Sequence, residues 1–199
     1  MPRRAVAPAL LNTAERLFYR HGVHGVGIDA ILAESGRSSR SLYQHFGSKE
    51  GLAVATLKRR DAAWLAWFKA AATTCPEPER QLLAMFDALE TWFRQPDFHG
   101  CPFINVAGEF PEHDHPLRRV AADHKRALLD FIATTAKAAG FVAHARLARE
   151  LFLLIEGAIV AALVLNQPAA ARTARHAAAT LIAVHRRDYA PAAHRKESS

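Results

Sequence analysis

The sequence predicts an all-α chain of about nine helices, and three observations carry that prediction. Apolar residues recur three and four apart along most of the chain, the period of a helix with one buried face. Alternating β-branched runs and Asn-Gly or Asp-Gly hairpin turns are absent. Glycine and proline fall between the periodic stretches, where helices stop and start.

Leu10, Leu11, Ala14, Leu17 and Phe18 form the first apolar stripe, closed by Gly22. Ile28, Ile31 and Leu32 make one face of a short second helix that ends at Gly36. Ser38 is placed to cap a third helix, with Leu42 and Phe46 turned inward and Gly47 as its stop. Ser48 then caps a long helix reaching about Thr74, which Pro76 and Pro78 interrupt. The fifth runs from about Glu79 to Arg94, with Leu82, Leu83, Phe86, Leu89 and Phe93 inward. Pro102–Phe110 reads as a short helix, and Pro111 to Pro116 as a turn. A long helix from about Leu117 to Ala139 is closed by Gly140. The last two, near His144–Asn166 and Ala169–Tyr189, are separated by Gln167-Pro168 and should run antiparallel.

The 199 residues suffice for one large domain or two modest ones, and half are hydrophobic, enough for a sizeable core. The apolar run Ile155–Leu165 is short and interrupted by Glu156, so no membrane span is expected. Nothing at the N-terminus reads as a secretory signal, and a cytoplasmic protein is expected. Cys75 and Cys101 are far apart, which argues against a disulfide framework or a zinc site. His113-Asp114-His115 with Glu109 or Glu112 is too loosely spaced to predict a metal, and no cofactor is expected.

Charge is unevenly placed. Residues 1–60 hold ten Lys/Arg against four Asp/Glu, and residues 61–199 hold sixteen against fifteen, so nearly all of the net +7 sits in the first third. That segment also carries two short helices joined through Gly36, the pattern of a helix-turn-helix. In that motif the later helix enters the major groove and its exposed N-terminal residues meet base edges. Ser39, Arg40 and Tyr43 are the candidates, since Arg40 can donate two bonds to a guanine and Ser39 and Ser41 are small enough for close approach. Lys49 sits in the first turn of a helix, where a cation opposes the dipole but a DNA phosphate would make it favourable. A solvated basic surface, with Tyr43 as a packing residue, is the plainer alternative.

From about Ala9 to Leu52 the chain resembles the tetracycline-repressor (TetR) family of bacterial transcription regulators. The resemblance is carried by Ala14, Phe18, Gly22, Ile28, Ile31, Ala33, Gly36, Ser38, Leu42-Tyr43, His45-Phe46 and Ser48-Lys49-Glu50-x-Leu52. It implies an all-α homodimer in which residues 1–50 bind an operator on double-stranded DNA. Residues 51–190 would hold a small-molecule effector and the dimer contact, with 191–199 a flexible tail. Carried over, Tyr43 and Lys49 match phosphate-binding positions, Ser39 and Arg40 base-reading positions, and His45 a position near the DNA backbone. Arg3 and Arg4 form an arm able to reach a minor groove. Three departures stand out. Gly27 replaces the usual Thr or Ser, Leu32 replaces a usual Ala, and Arg37 adds a cation to the turn, where it joins Ser38 and Ser41 among the candidate DNA-binding residues.

Aromatic residues concentrate in the middle of the chain and suit either a core or a cavity for a small apolar or aromatic ligand. Trp64, Trp67, Trp92, Phe93, Cys101, Phe103, Asn105 and Phe110 are the candidate ligand residues. Gly100-Cys101-x-x-x-Asn105 resembles a family subgroup whose helix begins at the pocket, some members of which sense electrophiles or oxidants through a cysteine; a buried, inert cysteine is the alternative. Leu151, Ile155, Ala158, Ala162, Leu165, Ala178, Leu181 and Ile182 are the expected dimer contacts, because helices apolar on more than one side must bury both. The expectation is a ligand-responsive regulator, most simply a repressor, and not an enzyme. The rival from another class, a helical enzyme or ligand carrier with an incidental basic segment, would need a convergent polar constellation that the sequence does not display.

Overall fold

Nine helices and no strand make up the described residues, 6–188, of the computed structural model. Arg3, Arg4 and the tail from residue 191 lie outside them. The chain forms two compact units. One takes the described residues up to Trp67 together with His99–Arg126, and the other takes Phe68–Phe98 with the described residues from Ala127 onward.

In the first unit, α1 (Val6–His21) buries Leu10, Ala14, Leu17 and Phe18, the expected stripe. A glycine-bearing connection then buries Val23 and Val26 and leads to α2 (Ile28–Ser35), which buries Ile31. Gly36 ends α2 in the left-handed region, at φ 62°, where only glycine is unstrained. Ser38 caps α3 (Ser39–Phe46) by accepting the Ser41 N–H at 3.3 Å. Leu42 is the buried anchor of α3, and Gly47, at φ 73°, turns the chain into α4 (Lys49–Ala72). Ser48 Oγ accepts the Gly51 N–H at 2.9 Å at that start. This unit also contains α6 (Pro102–Glu109) and the first half of α7 (Pro116–Ala138).

In the second unit, α5 (Pro78–Phe93) presents Leu82, Met85, Phe86, Leu89, Trp92 and Phe93 to the interior. α8 (His144–Val164) and α9 (Ala170–Asp188) run antiparallel, as His185 near the end of α9 meets Glu150 near the start of α8 at 2.7 Å. α9 is also tied to α5 by three ion pairs, Arg172–Glu90, Arg175–Asp87 and Arg186–Glu79.

Candidate nucleic-acid interface

α3 is eight residues long, so one buried side chain on one face leaves the remainder for other work. Ser39, Arg40, Tyr43, Gln44 and His45 are exposed, and Tyr43 keeps 51% of its surface open. Arg37, Ser41 and Lys49 are half-buried at the edges of the same turn and corner. Arg40 and Lys49 form no ion pair among the described residues, whereas Arg16 pairs with Glu34 and both Arg59 and Arg60 with Glu15. Those three arginines are thus paired within the unit, while Arg40 and Lys49 have no carboxylate at ion-pair distance among the described residues. Two serines serve the helix itself, since Ser38 Oγ and Ser41 Oγ lie 3.0 Å apart at the cap. His45 Nδ1 lies 2.8 Å from the Ser41 carbonyl, which can only accept, so Nδ1 carries the proton and Nε2 is the ring's remaining polar atom. Gly27 begins α2 with no side-chain cap, leaving that helix start to its backbone N–H groups.

The candidate ligand residues are divided between the two units. Trp92 and Phe93 are buried in the second unit, where Trp92 meets Phe98 edge-on at 5.2 Å. The other six belong to the first unit. Phe103 is buried and stacked on the His124 ring at 3.7 Å, and Trp64 meets the same ring edge-on at 5.2 Å. Trp67 lies 6.1 Å from Trp64. Phe110 stacks on His115 at 4.4 Å and meets His24 at a tilt at 4.5 Å. Cys101 is buried, and Lys125 Nζ donates toward its Sγ at 3.5 Å. Asn105 donates to the His99 carbonyl at 3.1 Å. Of the eight, only Asn105 lines the cavity of about 30 Å³ between α1, α4, α6 and α7, which has room for roughly one water.

His124 was not singled out by its sequence context. Its imidazole is almost fully buried and lies 2.7 Å from Asp61 Oδ1. Burial pushes its pKa down to about 4, against the opposing pull of the Asp61 hydrogen bond. No local pattern marks an Asp61–His124 pair 63 residues apart. Among the described residues no three His, Cys, Asp or Glu side chains gather as a metal site. His115 Nδ1 instead accepts the Leu117 N–H at 3.3 Å at the start of α7.

The expected dimer residues are placed differently from the expectation. Leu151, Ile155, Ala158, Ala162, Ala178 and Ile182 are buried within the single chain, and Leu181 is half-buried. Only Leu165 is fully on the surface, 60% exposed. The apolar surface of α8 and α9 is instead Leu153, Val160, Leu163, Val164 and Val184. An open groove of about 340 Å³ between α8 and α9 is lined by Leu153 and by small residues such as Gly157, Ala161, Ala170 and Ala177. α8 is apolar on nearly every side, so periodicity could not tell its inner face from its outer one.

No helix among the described residues is long and apolar enough to cross a membrane. Two family models match the chain. One, described as bacterial regulatory proteins of the tetR family, covers residues 10–56, and the other, a tetracyclin repressor-like C-terminal domain, covers residues 78–178. A solved TetR-family transcriptional regulator from Streptomyces coelicolor is 32% identical, with 90% of this chain and 95% of that one covered at a TM-score of 0.84. The HTH-type transcriptional regulator LmrA of Bacillus subtilis is 32% identical over 111 residues, 55% of this chain. The HTH-type transcriptional activator FasR of Mycolicibacterium smegmatis is 33% identical over 88 residues, 44% of this chain. The chain spans 59% of the first of these two curated relatives and 40% of the second.

Proposed function

Because the chain belongs to the TetR family of bacterial regulatory proteins, we propose that it is a ligand-responsive DNA-binding regulator of the cytoplasm, a repressor released from its operator by a small apolar or aromatic molecule. It acts by binding and not by catalysis. The observation that carries this reading is the outward face of α3, where Arg40, Tyr43 and Gln44 are exposed and the cations Arg40 and Lys49 lack carboxylate partners among the described residues. A guanidinium and an amide there suit base edges, and a lysine at a helix start suits a phosphate.

The apolar surface of α8 and α9 supports a homodimer, in which a second copy covers Leu153, Val160 and Val164. A two-fold dimer would read a palindromic site with half-sites roughly 34–36 Å apart, or a multiple of that spacing. The effector favours one of two states of the dimer through its differential affinity.

The test uses a duplex enriched from a random pool by the wild-type protein. Arg40→Ala should weaken binding to it by ~1–3 kcal/mol and relax sequence preference. Lys49→Ala should weaken enriched and random duplexes alike and lower the salt slope by about 1. Equal losses on both duplexes for Arg40→Ala would remove its base-reading role. A reporter behind the enriched site should fall silent when the chain is expressed; a rise would make it an activator.

A second reading, an electrophile- or oxidant-sensing repressor, is favoured by the Lys125 ammonium beside Cys101 Sγ. A neighbouring cation favours the thiolate, while burial of the sulfur opposes it. On this reading N-ethylmaleimide modifies Cys101 faster than it modifies a model thiol, and DNA affinity falls in step. Slow modification with unchanged affinity, followed by mass spectrometry and gel shift, would end it.

A further inference from the structure

We propose that Glu109, at the C-terminal end of α6, is a positioning residue for the DNA-reading helix: its carboxylate fixes the α1–α2 connection, and through it the placement of α2 and α3. The inference rests on the DNA-binding reading above and adds to it a residue that does not contact DNA.

The connection from Gly22 to Gly27 contains three glycines, so its own backbone specifies little. α2 starts from Gly27 without a side-chain cap, so the helix start is not locally enforced either. Glu109 supplies what is missing. Its Oε1 accepts the Val23 N–H at 3.1 Å, and its Oε2 accepts the His24 N–H at 2.7 Å. One oxygen per N–H, both bonds charge-assisted, sets the direction of two consecutive peptide units. The carboxylate also lies close against Gly22, where an added Cβ would come within 2.9 Å of Oε1 and where φ is +77°. The carboxylate is 21% exposed, and His24 Nδ1 lies 3.5 Å from Oε2. The neighbouring ring of Phe110 lies tilted against His24 at 4.5 Å.

The opposite end of α6 is tied to α1 as well. Tyr19 Oη donates to the Gly100 carbonyl and accepts the His99 N–H, each at 2.9 Å. α6 is therefore held at both ends, to the last turn of α1 and to the loop after it. Burial of Val23 and Val26 keeps that loop against the unit, but apolar contact is non-directional, whereas the carboxylate bonds specify the orientation of the peptide planes at Val23 and His24.

The experiment compares wild type with Glu109→Ala, Glu109→Gln and Gly22→Ala in the full chain. Amide exchange at Val23 and His24 is followed by NMR without DNA, and binding is measured on the enriched and random duplexes. Glu109→Ala should speed exchange at both amides and weaken the enriched duplex roughly tenfold, while random-duplex binding changes little. Glu109→Gln, which keeps one acceptor oxygen, should fall between Ala and wild type in both readouts. Gly22→Ala should repeat the loss with Glu109 intact. Unchanged exchange in Glu109→Ala would overturn the inference, as would faster exchange with enriched-duplex affinity within about twofold of wild type. If Glu109→Ala fails to fold, Glu109→Gln and Gly22→Ala decide by the same two readouts. A wild-type protein that enriches no duplex would instead defeat the DNA-binding reading, and with it the role in presenting α3, while exchange at Val23 and His24 would still judge the carboxylate's hold on the loop.

Discussion

Replacing Gly51 by alanine should lower stability by ~3 kcal/mol or more, in the range of severe overpacking. Gly51 lies in the first turn of α4, with its N–H on Ser48 Oγ at 2.9 Å. A Cβ there would be driven into the carbonyl oxygen of Phe46, the last residue of α3. The obstacle is backbone and cannot swing aside like the end of a long side chain, so the α3–α4 corner must open. Helix propensity alone makes the opposite prediction, because alanine in a helix is favoured over glycine by roughly 0.5–1 kcal/mol. The sign therefore discriminates. Urea denaturation should show a clear fall in midpoint, and a rise would mean that the corner is not as tight as described. Enriched-duplex affinity should fall too, since Arg40 and Tyr43 on α3 and Lys49 at the start of α4 flank that corner.

Acid should weaken the fold through His124. Its imidazole is buried against Phe103 and Trp64, and its pKa is pushed down to about 4, while an unfolded histidine titrates near 6.5. Between those values the unfolded chain binds more protons than the folded one, so stability falls as pH drops. The contribution is complete above about pH 6.5 and lost as pH approaches about 4, with a size on the order of 3 kcal/mol. A His124→Asn chain keeps a donor for Asp61 but does not titrate. The wild-type stability advantage over it should shrink steadily from about pH 7 to about pH 4.5. A difference between the two that stays constant across that range would show that His124 is not the group responsible.

The starts and stops of the helix-turn-helix were legible because the groups that set them are local. Ser38, Gly36, Gly47 and Ser48 each act within four residues of the backbone group they serve. Residue chemistry then separated Leu42, which is buried, from Arg40 and Tyr43, which are not. The interior of the effector half gave no such local sign. Phe103 and Trp64 look alike in sequence to Trp92 and Phe93, yet the two pairs belong to different units. Most of the expected dimer contacts are buried within the single chain, because α8 has too few polar residues to mark which apolar side its own chain covers. Glu109 and Tyr19 reach partners more than eighty residues away, and no spacing rule finds such pairs.

The first unit draws on two separated stretches of chain, and this limits how freely such proteins can be recombined. A chimaera that transplants only residues 1–67 onto a foreign effector half would leave Tyr19 without Gly100 and the loop at Val23 without Glu109. The donor's His99–Arg126 must travel with the graft, or the recipient must bring its own equivalents. Swaps made at the end of α3 should therefore give inactive hybrids more often than swaps that carry both stretches.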